Sequence, residues 1–373
     1  MTRAAIANAE RVVVKIGSSS LATTAGMLDT VRLHALVDIV AEQVRAGRQI
    51  VLVTSGAVAA GLGPLGLPTR PKALATQQAA ASVGQGLLLA HYTDRFRHYG
   101  ITVGQVLLTG SDLTRRAHYS NARNTLECLL SFDVVPIVNE NDTVATHRNG
   151  DNDRLAALVG HLIKADAVVL LSDIDALYDG HPQHPDSRAV ARVTGAADLA
   201  GFDIGGVGSA VGSGGMATKV NAAVIATSGG IPVVLTSAEL AREALRGDEV
   251  GTLFDPAPRP LSARYLWLAH ATRGEGALVL DDGAVAAVVR RRKSLLPAGI
   301  VAVKGDFTAG RPVDLVDLRG AIVARGLSAY DAVELPAMLG RSTRDLAAEL
   351  GPSFEREVVH ADDLVVLQSK VDA

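Results

Sequence analysis

Between Asn139 and Asp153 the chain twice gathers side chains suited to charged ligands: Asn139, Glu140, Asn141 and Asp142, then Asp151, Asn152 and Asp153 after Gly150. The first group closes the apolar run VVPIVN and the second opens an apolar-periodic segment. Turn and capping chemistry accounts for any one of these residues. Two such clusters in one connection read as a ligand site.

Cationic and glycine-rich elements accompany them. Lys15 follows three valines in the run VVVKI and precedes Ile16, Gly17, Ser18, Ser19 and Ser20, where an ammonium and free backbone N–H groups suit a phosphate. The order of residues is not that of a Walker A loop. Ser55 and Gly56 follow IVLVT; the glycine allows close backbone approach, and the hydroxyl or the next amides can hold an anion. No G-x-S-x-G elbow supports Ser55 as a nucleophile. Ser172, Asp173 and Asp175 close AVVLLS, where the carboxylates can hold a metal, orient a lysine or cap a turn. The sharpest phosphate-like element is GSGGMATK, Gly212 to Lys219, whose glycines run straight into a helix pattern. Orphan amides and the positive helix end would face an anion there, with Lys219 one turn in.

Other candidates fall away. His181 and His184 lie in the proline-flanked HPQHP loop, with no Cys or third His nearby to complete a metal site, and read as a solvated loop. Arg290, Arg291, Arg292 and Lys293 read as a solvated strand end. Two lysines, a glycine-rich helix start and an acid and amide cluster suggest phosphoryl transfer, which needs positioning and charge neutralisation more than covalent help.

These groups must be carried by a scaffold, and the periodicity names one. Short apolar runs at 12–16, 50–54, 103–109, 134–139, 167–172 and 232–236 alternate with helix candidates near 29–46, 73–98, 114–131, 152–164 and 216–228. Such alternation predicts a mostly parallel sheet with helices on both faces. The loops KIGSSS, TSGAVAAG, NEND and SDID would then converge on one sheet edge, where open α/β sheets bind ligands. Near residue 250 the texture changes. The stretch GTLFDPAPRPLSAR reads as a linker, and closely spaced short β-like runs beyond it predict a small barrel-like β domain with one helix near 330–350.

Composition sets the bounds. The chain has 373 residues, 48% hydrophobic and 20% charged, enough for a large core. A net charge of −3 gives no argument for nucleic acid or an anionic membrane. A single cysteine, Cys128, excludes an intrachain disulfide and points to a reducing compartment. With no signal-like or membrane-spanning run, a cytoplasmic protein is expected.

VVVKIGSSS, VTSGAVAAG, VPIVNENDTVAT, GDNDRLAALV, LLSDIDALYD and GSGGMATK together resemble the glutamate 5-kinase branch of the amino acid kinase family. The tail from about Gly274 resembles a PUA domain. The resemblance implies an open three-layer αβα sandwich over 1–258, a small β-barrel-like PUA domain over 274–373, and phosphorylation of the γ-carboxylate of L-glutamate by ATP with Mg²⁺. It implies that Lys15 and Lys219 contact the transferring phosphoryl group and that Asp153 ion-pairs with both. Ser55, Asn139, Asp142, Asp151 and Asn152 would surround glutamate, with Asp142 at its ammonium. Ser172, Asp173, Ser213, Gly214, Gly215, Met216, Ala217, Thr218 and Lys219, together with Lys15, would bind ATP. Family members assemble as homo-oligomers through the kinase domain, so the same is expected here.

One departure stands out. Only His147, Arg148 and Asn149 separate Thr146 from Gly150, about two residues fewer than usual in a loop that borders the glutamate site. The resemblance implies that proline inhibits through this region, so the shortening predicts weak or altered proline feedback. It also lends support to a paralogue acting on a modified glutamate. A PUA domain raises the alternative of an RNA-binding or regulatory protein, against which the negative charge and the full motif set stand.

Overall fold

The computed structural model describes residues 3–109, 112–113, 116–144, 152–182, 184, 186–199, 215–261, 263–266, 268 and 274–367. The chain divides into two compact units, Met1–Leu261 and Ser262–Ala373.

The first unit is built on valine-, leucine- and isoleucine-rich strands, the composition of strands covered on both faces. In chain order they are β1 (Arg11–Ile16), β2 (Gln49–Val53), β3 (Val103–Leu108), β4 (Val135–Glu140), β5 (Ala167–Ser172), β6 (Leu177–Tyr178), β7 (Ala189–Val190), β8 (Arg192–Val193), β9 (Val233–Ser237) and β10 (Thr252–Phe254). Eight of them form one sheet in the order β3-β4-β2-β1-β5-β9-β10-β8, and β6 and β7 pair separately. Every neighbouring pair in the large sheet is parallel except β9 with β10. The central strand β1 therefore has the earlier strand β2 on one side and the later strand β5 on the other. At this topological switch the connections diverge and leave a crevice beyond the strands' carboxyl ends.

The helices are α1 (Ala4–Ala7), α2 (Thr30–Arg45), α3 (Ala57–Leu62), α4 (Leu74–Arg97), α5 (Arg116–Ser131), α6 (Asn152–Leu162), α7 (Met216–Ser228) and α8 (Ala241–Arg246). Strand periodicity sorts them onto faces. Val12, Val14 and Ile16 join Leu52, Ile137 and Val169 in one core with residues of α2, α3, α4 and α8. The alternate residues Val13, Val51, Val138 and Val168 are equally buried, and α6 covers them: a Cβ on its Gly160 would lie 3.1 Å from Val168 Cγ2. Helix α7 packs beside α6, its Ile225 carbonyl 2.9 Å from His161 Nε2. Lys15 has the phase of Val13, so its side chain leaves the sheet toward α6 and α7.

The second unit holds a five-stranded sheet of β11 (Gly276–Leu280), β12 (Ile300–Gly305), β13 (Pro312–Val316), β14 (Ile322–Leu327) and β15 (Leu364–Val366), ordered β12-β11-β13-β14-β15. Only β11 with β13 runs parallel. Leu278, Leu315, Tyr330, Leu335 and Leu346 share its core. Asp314 and Arg325 face each other directly across β13 and β14 and are joined by a 2.6 Å charged hydrogen bond.

Three expectations are corrected. The stretch read as a linker begins as β10, an antiparallel addition to the main sheet at Thr252–Phe254. The helix placed near 330–350 is a single turn at Leu335–Ala337 and a separate helix at Thr343–Leu350, because Pro336 and Gly340 interrupt the pattern. The basic run at Arg290 follows helical turns over Asp282–Arg290, not a strand.

Candidate active site

Three ionisable side chains meet in the interior at the carboxyl end of β1. Lys15 is 4% exposed, Asp153 2% and Lys219 6%. Lys15 Nζ pairs with Asp153 Oδ1, and Lys219 Nζ lies 3.6 Å from Asp153 Oδ2. Thr218 Oγ1 donates a 2.8 Å hydrogen bond to the same Oδ2. Each partner comes from a different element: the end of β1, the first turn of α6 and the first turn of α7. Lys15 therefore points into the interior and not to solvent.

Burial is the largest influence on the Asp153 carboxyl and pushes its pKa up, but the charges of Lys15 and Lys219 and the hydrogen bonds from Lys15 and Thr218 outweigh it. The result lies below the ordinary aspartate value, so Asp153 stays ionised. Burial pulls Lys219 below the ordinary lysine value, and Lys15 adds to that pull while Asp153 and Asp173 oppose it. One carboxylate thus holds two ammonium groups together in a poorly solvated place. The cluster carries a net positive charge aimed at the crevice. Ser172 is buried at the end of β5 and donates to Asp173 Oδ1 at 3.0 Å, with Asp173 exposed. Gly215 precedes α7 without a side-chain cap, and Met216 and Ala217 open the helix. Among the described residues no side chain caps these amides, which suit an anion at the positive helix end.

The second assembly lies one residue from the first. Successive helix residues point about 100° apart, so Asn152 turns away from the lysines while Asp153 faces them. Asn152 Nδ2 donates to Ser55 Oγ and to Asn139 Oδ1, both at 3.0 Å, and Asn139 Nδ2 donates to Gln85 Oε1 at 2.8 Å. Ser55, Asn139, Asp142 and Asn152 line one cavity of about 210 Å³, together with Ser18, Thr69 and Arg70. Gly56 supports its wall with a φ of 109°, a conformation that few residues other than glycine adopt without strain. Helix α4 sets the position of that wall. A Cβ on Gly84 would lie 1.8 Å from the Ala57 carbonyl oxygen, so only glycine lets α4 approach the start of α3. The neighbouring Gln85 then reaches Asn139, and Tyr92 OH lies 2.7 Å from Thr54 Oγ1.

Among the residues singled out from sequence, Lys15, Asp153, Thr218 and Lys219 are brought together, with the Asp173 charge acting on Lys219. Ser55, Asn139, Asp142 and Asn152 form the cavity group. Asp151, Ser213 and Gly214 lie outside the described residues, as do Thr146 to Gly150 of the shortened connection. Sequence reasoning missed Gln85, Thr69 and Arg70. Gln85 follows Gly84 inside a long helix, and the other two sit in a proline-flanked loop with no motif.

Among the described residues no three His, Cys, Asp or Glu side chains gather to cage a metal. Mg²⁺ commonly takes one or two protein carboxylates and keeps water and substrate phosphates as its other ligands. An exposed Asp173 beside the lysines fits an ion that arrives on a nucleotide.

A parallel α/β sheet with paired buried lysines and a bare helix start at its carboxyl edge has the layout of a phosphoryl-transfer enzyme. The chain belongs to the amino acid kinase family, which residues 10–237 match, and residues 276–350 match the PUA domain. It is 61% identical over 368 residues to a glutamate 5-kinase of Streptomyces coelicolor, covering 98% of each chain. To a glutamate 5-kinase of Salinispora arenicola it is 65% identical, covering 96% of this chain and 98% of the relative. Carbamate kinase from Giardia lamblia bound to AMP-PNP is similar in fold. Its TM-score is 0.51 at 16% identity, over 67% of this chain and all of that one.

Proposed function

We propose that this chain transfers the γ-phosphoryl group of ATP to the γ-carboxylate of L-glutamate, giving L-glutamyl 5-phosphate at the first step of proline biosynthesis. The observation that carries this reading is the buried Lys15–Asp153–Lys219 cluster, one residue from the amide that lines the cavity. Glutamate 5-kinase relatives above 60% identity over nearly the whole chain support the same substrate pair.

An oxygen of the γ-carboxylate attacks the γ-phosphorus. The bond from that phosphorus to the oxygen bridging the β-phosphate breaks, and ADP leaves with the electron pair. A carboxylate is already ionised at neutral pH, so no general base is required. The difficulty is electrostatic, because an anion must approach an anion. Lys15 and Lys219 offset that repulsion, and Asp153 fixes their positions. Bound Mg²⁺ supplies further charge neutralisation on the phosphate oxygens. Asn152 and Ser55 orient the glutamate side chain, and Asp142 takes its ammonium. Ser172, Asp173 and the start of α7 hold the nucleotide. The enzyme works in the cytoplasm as a homo-oligomer assembled through its first unit.

The test is glutamate-dependent ADP release with hydroxylamine trapping the acyl phosphate. Glutamyl hydroxamate supports the reading; turnover only on a related acid would assign the scaffold to another substrate. Including proline tests the shortened connection, and inhibition only at concentrations well above those effective on longer-looped relatives is expected. Inhibition as strong as theirs would remove that idea.

Asp142→Asn is expected to raise the KM for glutamate about 10- to 100-fold, the loss typical of one hydrogen bond between charged groups, with kcat little changed. Burial raises the Asp142 pKa, and the Arg70 charge opposes this in part. Glutamate binding should therefore weaken, as pH falls, at a higher pH than an ordinary aspartate would dictate. An unaltered KM in the variant would take Asp142 out of the ammonium site.

A further inference from the structure

Only two ionisable side chains are among the described residues lining the 210 Å³ cavity: Asp142 and Arg70. An α-amino acid carries an ammonium and a carboxylate on one carbon, so its complement is an acid beside a base. Both lysines of the site are engaged with Asp153, at the end where the reacting carboxylate must lie. The α-carboxylate, at the other end of the molecule, needs a cation of its own.

We propose that Arg70 is that cation, a substrate-binding residue that receives the α-carboxylate of the amino acid and so selects α-amino acids over simple amines and acids. The assignment rests on the glutamate reading above.

Arg70 is half-buried, and no hydrogen bond or ion pair joins it to any described residue. Arg70 lines the cavity with its donors uncommitted to them, and a planar fork of N–H groups matches a carboxylate in two-point geometry. The loop that carries it is held at both ends. Leu67 N donates to the Leu62 carbonyl at 2.9 Å, and Leu67 packs on the core. Gln77 Nε2 from α4 donates to the Pro71 carbonyl at 2.7 Å. Standing directly before Pro71, Arg70 is also restricted to extended backbone conformations. The arginine is thus presented from a fixed frame. Asp142 lies near enough to feel its charge.

The experiment compares the parent chain with Arg70→Ala and Arg70→Lys in the hydroxamate assay. It also measures competitive inhibition by 4-aminobutyrate, which keeps the amine and the reacting carboxylate but lacks the α-carboxylate. Arg70→Ala should raise the KM for glutamate about 10- to 100-fold, leave kcat and the KM for ATP near parental values, and leave the inhibition constant of 4-aminobutyrate unchanged. Arg70→Lys should recover part of the loss, since it restores the charge but not the fork. Equal weakening of glutamate and 4-aminobutyrate would mean that Arg70 only shapes the loop or steadies Asp142, and would overturn the assignment. So would an unchanged KM for glutamate in Arg70→Ala. A parent chain that makes no glutamyl hydroxamate would instead remove the glutamate reading, and the Arg70 assignment with it.

Discussion

Replacing either lysine of the buried cluster should nearly abolish turnover. Lys15→Ala and Lys219→Ala are each expected to lower kcat about 100- to 1,000-fold, the range seen when one preorganised group is removed from developing negative charge. The KM for glutamate should move far less, because Ser55, Asn139, Asp142 and Asn152 contact the cavity independently of the lysines. Both side chains pair with one carboxylate, so they act as a unit. The double variant should then be only modestly slower than the worse single one, not slower by the product of the two effects. Steady-state kinetics of all four forms gives the answer. Multiplicative losses would show that the lysines serve separate steps.

Asp153→Asn should damage stability and catalysis through one cause. The amide keeps the shape of the carboxylate but removes the charge that two buried ammonium groups share. Breaking a buried ion pair by deleting one partner commonly costs about 3–5 kcal/mol, and denaturant unfolding at neutral pH should register a loss of that order. The pH dependence has a definite sign. The folded-state pKa of Asp153 is depressed, so its contribution is full above the unfolded value of about 3.9 and fades as pH falls through the lower folded value. Parent and variant should therefore converge in stability under acid. At the alkaline end the order of effects reverses. Burial already lowers the Lys219 pKa and Asp153 holds it up, so removing Asp153 should bring the alkaline loss of kcat to lower pH. An alkaline limb that stays in place would mean that Lys219 does not need its proton for turnover.

Much of the scaffold was legible in the chain. The runs at 12–16 and 167–172 fall within β1 and β5, since short runs dominated by valine, isoleucine and leucine and stopped by polar or Gly residues have few other uses. The convergence of strand-end loops followed from the alternation of strands and helices. Short elements were less visible. Helix α3 was read as loop because AVAAGL is only six residues long and contains Gly61, which exists to let the Ala80 carbonyl approach. Strand β10 is three residues long and stands just before a proline-rich stretch. At the site, Lys15 and the glycine-rich start of α7 announced themselves by composition. The pairing of both lysines with Asp153 came from the resemblance, since no periodicity links residues 15, 153 and 219. Arg70 gave no signal at all. A single arginine between Thr69 and Pro71 in a loop acquires meaning only when folding places it beside Asp142 at the cavity.

In the proposed reaction a glutamate carboxylate oxygen attacks phosphorus. The most direct measurement uses glutamate labelled with oxygen-18 in its γ-carboxylate, Mg·ATP and hydroxylamine, with mass analysis of the products. Attack on phosphorus predicts one labelled oxygen in each inorganic phosphate released and one retained in each hydroxamate. Unlabelled phosphate, released without hydroxamate, would mean that water and not glutamate receives the phosphoryl group.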